Sequence, residues 1–77
     1  MKTKQIENLL KKNQINNAAL LGRAAMIEGR YNIPWQDDHF METLKAHQEN
    51  VPGSASFSDL MNAWLTGWHR QSLKSIE

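Results

Sequence analysis

The run Phe57-Ser58-Asp59-Leu60-Met61-Asn62-Ala63-Trp64-Leu65-Thr66-Gly67-Trp68 sets apolar side chains at i, i+3, i+4, i+7, i+8 and i+11. That spacing is the wide stripe of an amphipathic helix, and the pattern predicts a helix reaching about Leu73. Ser56 and Asp59 stand at capping-box spacing, with Asp in place of the usual Glu, and mark its start. Upstream, Val51-Pro52-Gly53-Ser54-Ala55-Ser56 is a clear break. Before it, Asp37 is placed to cap a short helix from Asp38 to about Gln48, whose apolar stripe is Phe40, Met41 and Leu44.

The partner for the tryptophan helix must lie nearer the N-terminus. Ile6, Leu9, Leu10, Leu20, Leu21, Ala24 and Ile27 recur at helical spacing from about Thr3 to Glu28. Asn13-Gln14-Ile15-Asn16-Asn17 interrupts them with residues of poor helix propensity, so one helix or two with a kink both fit. Gly29 is a C-cap, and Pro34 forbids continuation. Gly22, Ala25 and Gly29 fall at spacings of three and four, on one face. The expectation is that Trp64 and Trp68 pack onto this small-residue stripe while Trp35 closes one end. No segment shows strand alternation. The fold class is therefore all-α: one small domain over 1–77, an antiparallel helix pair plus a short inserted helix.

The chain has 77 residues and no cysteine, which excludes a disulfide framework and any thiolate metal site. No apolar run approaches about 18 residues, so a membrane-spanning helix is not expected. So small a core has little room for a buried catalytic pocket, and the chain is read as no enzyme, without a cofactor. His39, Glu42 and His47 are ligand types, but at i, i+3 and i+8 they diverge around and along a helix, so no metal site is expected. His69 has no Ser, Cys or paired carboxylate at a readable spacing. Trp64 and Trp68 are read as core rather than as stacking platforms for bases.

The net charge of +1 hides an asymmetry. Residues 1–30 carry six Lys and Arg against two Glu, a balance of +4; residues 31–77 carry three against six, a balance of −3. The two halves attract each other, or the basic half meets a polyanion. On a continuous first helix Lys12, Arg23 and Arg30 would fall within about 20° of each other, a basic stripe able to meet phosphates.

Gly22-Arg23-Ala24-Ala25-Met26-Ile27-Glu28-Gly29-Arg30, then Ile33-Pro34-Trp35, then Ala63-Trp64-Leu65-Thr66-Gly67-Trp68 together resemble the ribosome modulation factor family. That family combines a Gly/Ala-rich helix, a Cys-Pro-Tyr or Asn-Pro-Tyr turn and a Trp-Leu-Gly-Gly-Trp helix. Gly22, Ala25 and Gly29 match the first, Pro34 the turn, and Trp64, Gly67 and Trp68 the last. The likeness covers residues 18–35 and 60–71, preceded by an N-terminal extension, 1–17, and interrupted by an insertion, 36–56. The resemblance implies a small cytoplasmic bacterial or phage protein that regulates translation by binding ribosomal RNA or the small ribosomal subunit. Arg23, Arg30, Arg70 and Lys74 are the residues expected to contact phosphates. The alternative is a phage or mobile-element module that binds a host protein through the acidic insertion, at Asp37, Asp38 and Glu42.

Overall fold

The computed structural model describes the backbone of residues 2–76 and the side chains of residues 9–74. Helix α1 spans Lys2–Ile27, a 3-10 turn spans Pro34–Gln36, α2 spans Asp38–Ala46 and α3 spans Phe57–Ile76; no strand occurs among the described residues. The fold class is all-α, with α1 and α3 packed closely as an antiparallel pair. No helix is long and apolar enough to cross a membrane among the described residues. The radius of gyration is 13.2 Å, against about 11.5 Å for a compact domain of this length, because the pair is long and α2 covers only part of it. The place of Ile6 on the apolar face, like the charges of Lys2, Lys4, Glu7 and Glu77, lies outside the described side chains.

Helix α1 is continuous through the asparagines. The 26-residue helix does not kink there because the segment is anchored laterally. Ile15 packs against the core and Ala18 is buried within it. Gln14 accepts a hydrogen bond from the Ala55 amide at 2.7 Å through Oε1. Tertiary packing outweighs the few tenths of a kcal/mol per residue that the asparagines cost.

The pair crosses at two glycines. A Cβ on Gly22 would overlap the Trp64 carbonyl, and one on Gly67 would overlap the Ala19 carbonyl. Backbone therefore meets backbone, and neither glycine tolerates a side chain without moving a helix. Gly29 does not share this role, contrary to the expectation from its spacing. It is exposed, has φ +80°, and has nothing within 4 Å of an added Cβ. Gly29 N–H donates to Met26 O at 3.0 Å and Arg30 N–H to Ala25 O at 2.9 Å, the paired bonds of a Schellman motif. The second glycine of the crossing is Gly67, not Gly29.

The crossing also fixes the tryptophans. Because the Trp64 carbonyl occupies the space over Gly22, its indole turns toward α2, where it is fully buried beside Phe40, with ring centroids 6.2 Å apart. Trp68 is only half-buried; its Nε1 donates to Arg30 O at 3.1 Å. Trp35 does not close the end of the pair. It is 63% exposed, since the buried member of the turn is Pro34.

Helix α3 starts as its sequence suggests: Asp59 N–H donates to Ser56 Oγ at 3.0 Å. The Asp59 carboxylate turns outward, to Lys11 Nζ at 3.6 Å. Helix α2 stops at Ala46 rather than Gln48. His47 adopts an extended conformation, and its Nε2 lies 2.7 Å from Ala55 O, which ties the end of α2 to the linker.

Candidate nucleic-acid interface

Two charged regions result from this packing. The first is centred on Asp37, which caps α2 and is almost fully buried, at 3% exposure. Its Oδ1 accepts from His39 N–H at 3.1 Å, from Phe40 N–H at 3.3 Å and from the Arg30 guanidinium at 3.3 Å. Its Oδ2 accepts from Trp64 Nε1–H at 2.9 Å. A buried carboxylate needs such partners, because an unpaired one would cost far more than the fold has to spare. Arg30 is held further by Glu28, with Nε to Oε2 at 3.1 Å. Local pattern shows only the capping role of Asp37; the rest of this bond network is not legible in the sequence.

Arg30 therefore leaves the basic stripe. Helix α1 ends at Ile27, and the Schellman turn carries Arg30 over to Asp37. Lys12 and Arg23 remain on the continuous helix, about 20° apart around its axis.

The second region is a groove of about 430 Å³ between α1 and α3. All its lining residues belong to those two helices. Ala19 and Gly67, one of the two close approaches of the crossing, line it, and Leu20 supplies an apolar wall. Arg23, Arg70 and Lys74 line it together, with the amides of Asn16 and Gln71. The antiparallel register that sets Ala19 against Gly67 brings residue 12 to the level of residue 74, so Lys12, an exposed residue, stands at the same end as Lys74. Among the described residues the ion pairs are Lys11–Asp59, Arg30–Glu28 and Arg30–Asp37. None of them neutralises Arg23, Arg70 or Lys74.

Three of the four cations expected to meet phosphates thus come together in one groove, and the fourth is part of the fold. Arg70 and Lys74 are one turn apart on α3, and Arg23 reaches them from α1 across the crossing. Such a groove can hold a phosphate backbone through charge-assisted hydrogen bonds. The histidines offer no comparable cluster. His39 and Glu42 are exposed on α2, while His47 is drawn out of the helix toward Ala55.

In comparisons with known proteins, no family model, no curated protein and no solved structure matched the chain.

Proposed function

We propose that this protein is a non-enzymatic RNA-binding module that holds a phosphate backbone in the α1/α3 groove. A single observation carries the reading: Arg23, Arg70 and Lys74 line one groove, and no described carboxylate pairs with them. Converging cations without counterions repel one another, and a polyanion removes that cost while releasing its own counterions. The resemblance to ribosome modulation factors, which rests on the glycine and tryptophan motifs, makes ribosomal RNA or the small subunit the first partner to test, with regulation of translation in a bacterial or phage setting as the role.

The alternative, a host-protein module using the acidic insertion, has less to stand on. Of its three carboxylates, Asp37 is buried and accepts hydrogen bonds within the fold through both oxygens, leaving Asp38 and Glu42 at the surface. The discriminating experiment is capture from bacterial lysate with and without ribonuclease. The RNA reading expects ribosomal material to be retained by the native chain, and to disappear both after ribonuclease and with the Arg23→Ala, Arg70→Ala, Lys74→Ala triple variant. Ribonuclease-resistant capture of a host protein that is abolished by Asp38→Lys and Glu42→Lys would overturn it in favour of the alternative.

A further inference from the structure

A second concavity lies where the chain leaves α1. It encloses about 330 Å³ and is lined by Arg30, Tyr31, Ile33, Gln36, Asp37 and Trp64, together with Gly29. That volume is at the lower limit for ligand pockets, so it suits one planar ring system rather than an extended cofactor.

The pocket has a fixed inner wall and an open rim. Trp64 and Asp37 form the inner wall, both buried and bonded to each other at 2.9 Å. Oδ1 of Asp37 takes three donors while Oδ2 takes one, so Oδ2 retains acceptor capacity. At the rim Tyr31 is 77% exposed, the most exposed of the large apolar side chains among the described residues, and it plays no part in the core. Gln36 is exposed beside it and brings an amide with both donor and acceptor. An aromatic face in water, a carboxylate oxygen with a spare lone pair and a neutral amide around a ring-sized space are the groups that stack on a nucleobase and bond its edge. Helix α1, which carries Arg23, ends at Ile27, and the pocket begins two residues later at Gly29, just beyond that helix end.

We propose that this pocket takes one unstacked nucleobase of the RNA strand whose backbone runs in the groove, with Tyr31 stacking on the base and Asp37 Oδ2 and Gln36 bonding its N–H edge. The inference rests on the RNA reading above and adds to it that the ligand is single-stranded, because the base faces of a duplex are already stacked.

The test uses the full chain, fluorescently labelled single-stranded RNA octamers and the same sequence as a duplex. Tyr31→Ala is expected to weaken single-strand binding by about 5- to 150-fold. Tyr31→Phe, which keeps the ring, is expected to restore it. The salt dependence should not change with Tyr31→Ala, since every phosphate contact remains, and the duplex should bind more weakly than the single strand. The inference is overturned, with the groove intact, if the native chain binds the single strand while Tyr31→Ala binds it equally well, or if the duplex binds as tightly. A native chain that binds no RNA at low salt overturns both readings at once. Circular dichroism of each variant checks that an exposed position has been changed without unfolding the chain.

Discussion

The Asp37 corner and the α1/α3 groove both contain arginine, and the fold uses it differently in each. At the corner, the Arg30 guanidinium meets two carboxylates, and the buried one also holds the indole of the largest core residue and the start of α2. Charge there is consumed in joining α1, α2 and α3. In the groove, Arg23, Arg70 and Lys74 meet no described carboxylate. Counting charges along the chain treats Arg23 and Arg30 alike. Only the packing separates a cation that holds the protein together from one left for a ligand.

The comparison breaks most visibly at the corner. Trp64→Ala removes a fully buried indole and is expected to cost about 3–5 kcal/mol in urea unfolding. Asp37→Ala removes a helix cap and leaves the Trp64 N–H without its acceptor, which together should cost about 2–4 kcal/mol. If Asp37→Ala unfolds at the native urea midpoint, the corner is not the joint described here.

The crossing comes next. Gly22→Ala and Gly67→Ala each set a Cβ against a backbone carbonyl, so the helices must part, at a cost of about 1–3 kcal/mol each. Gly29 sharpens the point because it fails for a different reason. Gly29→Ala and Gly29→Leu should destabilise alike, by about 1–2 kcal/mol, since the penalty is the left-handed backbone and not a shortage of space. A much larger effect for Leu than for Ala would put Gly29 back into the helix interface.

These positions also show what the sequence makes readable. The all-α class, the two long helices, the caps at Asp37 and Ser56 and the break at Pro52-Gly53 all follow from local pattern, because each is set by residues within a few positions of one another. Gly29, expected in the packed stripe with Gly22, stands outside the crossing, and Gly67 meets the partner helix instead. Gly22 and Gly29, seven residues apart, look alike in the sequence, and which of them touches the partner depends on register across the pair and on where α1 ends. Propensity leaves a kink at Asn13–Asn17 open, and the bond between Gln14 and Ala55, 41 residues apart, closes the question. Of the expected phosphate contacts, Arg23, Arg70 and Lys74 are readable as cations on helices. The departure of Arg30 is not, because it depends on a carboxylate that the Schellman turn brings within reach. Tyr31 carries no periodic signal at all, and only the fold sets it beside the pocket.

The smallest effect on stability belongs to the groove. Arg23→Ala, Arg70→Ala and Lys74→Ala are exposed or rim changes that break no described ion pair, and each should shift unfolding by no more than about 0.5 kcal/mol. Arg30→Ala, in contrast, leaves Asp37 buried with one donor fewer and should destabilise by about 1–3 kcal/mol.

The central claim is that groove cations serve a ligand and the corner cation serves the fold, and the salt dependence of single-stranded RNA binding tests it directly. Log affinity would be measured against log salt for the native chain, the Arg23→Ala/Arg70→Ala/Lys74→Ala variant and Arg30→Ala. Removing one cation from a phosphate flattens the slope by about 0.7, so the groove variant should flatten it by about 2, while Arg30→Ala keeps the native slope despite its lower stability. An unchanged slope in the groove variant, or an Arg30→Ala slope that falls as far, would contradict the division of charge between the two regions.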